Sequence, residues 1–108
     1  MPGFYPIGAV DFNSSTTTAD ATTGMTVKAG VANKVIYVTD MMISTDTAMD
    51  IELHDTDNTV IFEHMYFPSK SIWSKTWSTP IAITLGKGLK VVSSVAGNVT
   101  STITGFTK

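Results

Sequence analysis

Turn-forming residues interrupt this chain at short intervals, and few architectures survive that punctuation. From Met25 onward the breaks fall at Gly30, Thr45-Asp46-Thr47-Ala48, Asp55-Thr56-Asp57-Asn58, Pro68, Pro80, Gly86-Lys87-Gly88 and Ala96-Gly97-Asn98. The segments between them suit strands better than packed helices. Their side chains agree. Met49–Asp55 alternates strictly, with Met49, Ile51 and Leu53 on one face and Asp50, Glu52 and His54 on the other, the period of a half-buried strand. Val99–Phe106 places Val99, Ser101, Ile103 and Gly105 on one side and Thr100, Thr102, Thr104 and Phe106 on the other.

Composition points the same way. Val and Ile number 19 against three Leu, Thr occurs 18 times and Ser 10 times, and Gln is missing. Branching at Cβ crowds a helical turn but packs well on a pleated sheet. The expectation is an all-β chain: a compact β-sandwich of seven or eight antiparallel strands, jelly-roll-like, with an extended N-terminal arm. Strands are expected at Met25–Ala29, Lys34–Ser44, Met49–Asp55, Thr59–Met65, Ser71–Ser78, Ile81–Leu85, Leu89–Ser94 and Val99–Phe106, with Gly86-Lys87-Gly88 as a hairpin turn. Alternation alone accepts a jelly-roll order of these strands and an immunoglobulin-like one.

Two segments depart from the simple pattern. In Lys34–Ser44, Val35, Tyr37, Thr39, Met41 and Ile43 share one face, and Ile36, Val38, Asp40 and Met42 share the other. Both faces are largely apolar, so this strand is expected to be covered on both sides or to meet a partner. Residues 1–24 read as an arm or tether ahead of a domain at 25–108. Gly8–Phe12 has the makings of a short strand, whereas Asn13–Gly24 is polar, with nothing to bury. The start reads either as a partly ordered terminus or as an arm that orders against a neighbour, the second because Phe4, Tyr5 and Ile7 would be wasted in solvent.

Charge and cysteine content narrow the function. Seven Lys, no Arg and nine Asp plus Glu give a net charge of -2, which argues against a phosphate-gripping face and so against direct nucleic-acid binding. With no cysteine there is neither a disulfide nor a thiolate ligand or nucleophile. No apolar run reaches membrane-span length, and the start lacks the pattern of a secretory signal.

The residue sets that could carry chemistry are thin. His54 lies among Asp50, Glu52, Asp55 and Asp57, but this lacks the spacing of a defined metal site, and a solvated strand edge explains it equally. Asp55-Thr56-Asp57-Asn58 lacks the glycine and terminal glutamate of a calcium loop and reads as a turn. His64 beside Glu63 reads as packing or surface. Gly86-Lys87-Gly88 is no phosphate loop, and no serine sits in a nucleophile elbow. Asn13-Ser14-Ser15 and Asn98-Val99-Thr100 match the glycosylation pattern, as a Ser/Thr-rich chain does by accident. No catalytic residue, metal or cofactor is expected, and no enzyme activity.

Trp73 and Trp77 with Lys75 between them are the sharpest feature. On a straight strand both indoles would share a face about 13 Å apart. Three roles fit: core packing, a subunit contact, or a sugar-stacking platform. Tyr66 and Phe67 beside Pro68 divide the same way, with the contact role favoured.

The order of pieces also resembles a known group. Val38–Ser44 leads through an Asp/Thr-rich turn to a second strand, the Pro80–Val91 segment follows, and Val99–Phe106 ends in a Gly-aromatic pair. Over roughly residues 31–106 this is similar to small bacteriophage virion proteins, the jelly-roll capsid decoration or cement proteins. The resemblance implies a non-enzymatic virion protein on the outer surface of the capsid, bound to the major capsid protein and self-associated as three copies, as in that group. Phe4, Tyr5, Ile7, Tyr66, Phe67, Trp73, Lys75 and Trp77 are the residues expected at the oligomer or capsid interface. The rival is a carbohydrate-binding or receptor-reading module of a phage tail or fibre that uses Trp73 and Trp77.

Overall fold

The computed structural model describes residues 8–108, apart from the side chains of Glu63 and His64. The contacts expected of Phe4, Tyr5 and Ile7, and the role expected of His64, lie outside the described residues.

Eight strands are formed: β1 (Val10–Thr18), β2 (Met25–Lys28), β3 (Ile36–Thr45), β4 (Met49–Asp55), β5 (Val60–Phe67), β6 (Ser71–Ala82), β7 (Leu89–Ser93) and β8 (Val99–Thr107). They build two four-stranded sheets, ordered β1-β8-β3-β6 and β2-β7-β4-β5. Every pairing is antiparallel: β1 with β8, β2 with β7, β3 with β6 and β4 with β5. Pairing of β3 with β8 and of β4 with β7 closes the roll. The chain is one long antiparallel hairpin, its tip at residues 56–59, coiled into a sandwich. That is a jelly roll, and the immunoglobulin-like order is set aside.

The core lies between the sheets. Ile36, Val38, Met41 and Ile43 of β3 meet Met49, Ile51 and Leu53 of β4, with Leu89, Val91, Val99 and Ile103 closing the middle. Full burial of one such side chain stabilises by about 2 kcal/mol.

The two-faced apolar pattern of residues 35–43 has a local cause. The register of β3 shifts between Val38 and Asp40 against both neighbours, so Thr39 is an extra residue, and side chains beyond it change faces. Ile36 and Val38 point inward before the bulge, and Met41, Ile43 and Thr45 after it. What reads as two apolar faces is largely one face with a change of phase. The expectation that this strand needs a partner for its outer side therefore falls. Met42, 45% exposed, and the half-buried Tyr37, stacked on Phe106, are what remains outside.

The polar stretch 13–24 also differs from its expectation. Residues up to Thr18 are β1, paired one to one with β8 from Val10↔Thr107 to Thr18↔Val99. The sandwich therefore starts well before residue 25. Its inward positions, Phe12, Ser14, Thr16 and Thr18, are only half-buried, so the strand needs no apolar alternation. Backbone pairing is joined by hydroxyl contacts, Ser15 with Thr102 at 2.9 Å and Thr17 with Thr100 at 3.0 Å, pairs that favour antiparallel neighbours.

Farther along, β6 runs through Pro80 to Ala82, which an edge strand permits because its outer N–H groups are unpaired. Ile81–Leu85 is no separate strand. Gly86-Lys87-Gly88 lies in the crossover from β6 to β7, which belong to different sheets, so the turn there is not a hairpin.

Candidate functional site

The seam between β5 and β6, the outer strands on one side of the two sheets, gathers most of the residues singled out above. Trp73 and Trp77 of β6 and Phe62 of β5 pack against the core from this side. Phe62 meets Trp77 edge to face at 6.2 Å and 85°, and Trp73 meets Trp77 at 6.4 Å and 68°. The indoles are half the expected distance apart because the β3–β6 ladder breaks after Thr76 and resumes at Ile81, leaving 77–80 opposite Thr39. Trp77 thus leaves the straight strand line. Neither the spacing nor the angle makes a flat stacking platform for a sugar ring. The two indoles close the side of the sandwich.

The remaining expected contact residues divide. Phe67 is 3% exposed and belongs to the core of its own chain. Tyr66, on the opposite side of β5, is 70% exposed. Lys75 is exposed and pairs with Met41, so it stands at an inward-facing position of an edge strand. Ile72 is 73% exposed, and sequence alternation alone left it without distinction among its neighbours. Its signal was parity: it lies on the face opposite Trp73.

Much of the hydroxyl content sits on the outer face of the β1-β8-β3-β6 sheet. Register aligns Ser15, Thr102, Met42 and Ser74 in one line across it and Asn13, Thr104, Asp40 and Thr76 in the next. Thr76 donates to Asp40 Oδ1 at 2.7 Å and Thr39 to Asp40 Oδ2 at 2.9 Å. A shallow depression of about 220 Å³ lies over this area.

The carboxylates are occupied in holding turns. Asp55 is 1% exposed and accepts from Asp57 N at 2.8 Å, Thr59 N at 2.9 Å and Thr84 Oγ1 at 2.6 Å. Burial would raise its carboxyl, but the bonds from Thr84, Thr59 and Asp57 outweigh that and hold it below the ordinary value. It locks the tip of the long hairpin to the β6–β7 crossover. At the other end Asp46 takes Asn98 N at 2.9 Å and Asn98 Nδ2 at 2.7 Å, with Asp46 N returning to Asn98 O at 3.2 Å. Bonds from Thr47 and then Asn98 lower its carboxyl.

His54 Nε2 lies 2.7 Å from Glu52 Oε1. Among the described residues no group of three or more His, Cys, Asp or Glu is placed to hold a metal ion. No helix among them is long and apolar enough to cross a membrane.

No family model matches the chain, and no curated protein matches it in sequence. Solved structures do share its shape. A subunit of the Bacillus endospore appendages, described as a novel family of disulfide-linked pili, aligns over 92% of this chain and 86% of its own, with a TM-score of 0.57 and 14% identity. The fold is therefore shared with a pilus subunit. The virus-like particle of the giant freshwater prawn Macrobrachium rosenbergii extra small virus aligns over 99% of this chain and 86% of its own, with a TM-score of 0.42 and 8% identity, a level that bears on neither fold nor function.

Proposed function

We propose that the chain is a non-catalytic structural subunit of a bacteriophage particle that attaches to the outer surface of the capsid as an oligomer. The observation that carries this reading is the use of the side chains: the carboxylates Asp46 and Asp55 clamp turns and the indoles close the sandwich. What is left for function is a broad polar face with the exposed Ile72 at its edge, and the exposed Tyr66 on the outer side of the other sheet. Such a body is suited to contact, and many weak contacts on one shell sum by avidity. Fold-sharing with a pilus subunit is in keeping with an assembling domain, although fold alone does not carry function. The disulfide linkage of that pilus has no counterpart here, since this chain has no cysteine.

On this reading Phe4, Tyr5 and Ile7 reach onto a neighbouring capsid subunit, and Tyr66 with Lys75 lies at a contact. The test is co-sedimentation with phage shells that lack the protein. The full chain should pellet with the shells, while a chain lacking residues 2–7 should keep its β circular dichroism spectrum and pellet poorly. Failure of the full chain to bind any such shell would overturn the reading.

A further inference from the structure

The four outer strands of the sandwich are not equally protected, and the difference selects one mode of self-association. An outer strand carries a line of unpaired backbone donors and acceptors, which recruits another strand unless something blunts it. Shortness, a bulge, proline and an inward-facing charge are the usual blocks. Three of the four outer strands carry them. β2 is four residues long and has a register shift between Thr26 and Lys28. β5 has irregularities against β4 on both sides of Leu53. β6 holds Pro80, the break at 77–80, and Lys75 at an inward position.

β1 has none of these. It is nine residues long, VDFNSSTTT, and pairs with β8 without a break along its whole length. It contains no proline, glycine or lysine, and Asp11 is its one charge. Among the described residues no backbone hydrogen bond outside the β1–β8 ladder engages Val10–Thr18. Val10 at its start is 64% exposed.

We infer that β1 pairs antiparallel with the β1 of a second copy, joining two four-stranded sheets into one continuous sheet across a twofold axis. The choice of partner follows from the other edges. Pairing β1 with a different edge of a second copy would need β2, β5 or β6, each of which is blocked; β1 with itself needs only the open edge. Such a contact is isologous and closes at two copies, rather than the three implied by the resemblance. The sequence tolerates it. Centred on Ser14, the pairing sets Asp11 opposite Thr17 of the second copy and Asn13 opposite Ser15, so the two Asp11 carboxylates do not face each other. This inference rests on the proposed assembling role and specifies how copies meet.

The experiment is sedimentation equilibrium of the full chain over a range of concentrations, combined with hydrogen exchange. Mass should rise from 11.5 kDa to twice that value. Amides of β1 should gain protection with concentration while those of β6 do not. The variant Asn13→Lys/Ser15→Lys places like charges opposite across the axis and should weaken the dimer at least about tenfold, with its β circular dichroism spectrum retained. Ser74→Lys, on the β6 edge, should leave the dimer intact. A concentration-independent 11.5 kDa species overturns the inference. So does an oligomer that survives the double lysine variant with β1 amides exchanging unchanged; in that case copies meet elsewhere, and the assembling role stands. Shell binding by a strict monomer would likewise leave the capsid role standing without this contact.

Discussion

A β-carbon added to Gly105 would run into the carbonyl oxygen of Tyr37. Gly105 is paired with Val38, next to the extra residue Thr39, whose hydroxyl donates to Thr104 O at 3.0 Å. The bulge that changes the phase of β3 pushes a backbone carbonyl into space that only a glycine leaves free. On its other side Gly105 is covered by Phe12 of β1, 3.1 Å from the same position. Gly105→Ala should therefore destabilise by about 3 kcal/mol, since overpacking against backbone cannot be relieved by a rotamer change. Urea unfolding would show it, and an unchanged midpoint would mean that the bulge relaxes freely.

Asp55 makes stability depend on acid. Its carboxyl titrates below the ordinary 3.8 in the folded chain, so its contribution is complete above that value and is lost as pH falls through the lower folded value. Asp55→Asn should lower stability by about 2 kcal/mol near neutrality. The gap from wild type should close as pH drops below 3.8. Chemical denaturation at a series of pH values would reveal a constant gap if the charge is not the cause.

Ser101 is fully buried between Thr16 and Ile43 in register, and its Oγ has no partner among the described residues. Ser101→Ala should raise stability by about 1 kcal/mol, because a buried hydroxyl without a bond costs its desolvation. A lower melting temperature for the variant would show that the hydroxyl is satisfied in solution.

Trp77→Ala should open the β5–β6 seam and cost about 3 kcal/mol, at the low end for an aromatic truncation because the ring is half-buried. Titration of the intact chain with oligosaccharides should leave its indole fluorescence unchanged. A saturable shift would restore the sugar-binding role that the 68° angle between the indoles argues against.

Removal of residues 2–24 takes away β1 and should abolish cooperative unfolding, since β8 would lose the neighbour that flanks it along nine residue pairs. A sharp melt in that truncated chain would return these residues to the status of a tether.

Legibility of the fold followed the strength of alternation. Met49–Asp55 was readable to the residue because its inward side chains are large and its outward ones charged. β1 was not, because Ser and Thr serve on either face of a strand at its half-buried edge. The bulge at Thr39 was hidden for a different reason: a single inserted residue leaves both parities apolar, which is also what a doubly covered strand looks like. The indole contact and the burial of Phe67 depended in turn on where ladders break, a property of paired strands rather than of one. Strand order required the same long-range information, and without it the residues of the β5–β6 seam could be named but not assembled.

The pairing of the first strand with the last fixes an order of events in the making of the molecule. Thr107 must be in place before Val10 has its partner, so a nascent chain cannot finish this fold until residue 107 has left the ribosome. The hairpin of β4 and β5, joined by a short turn, has the least loop entropy to overcome. Pairing spreads outward from it toward both ends, as distant contacts do only after near ones have shortened the path. Until then β1 waits as a bare strand with a single charge, and its polar hydroxyl residues, rather than apolar ones, keep that waiting segment from sticking to others.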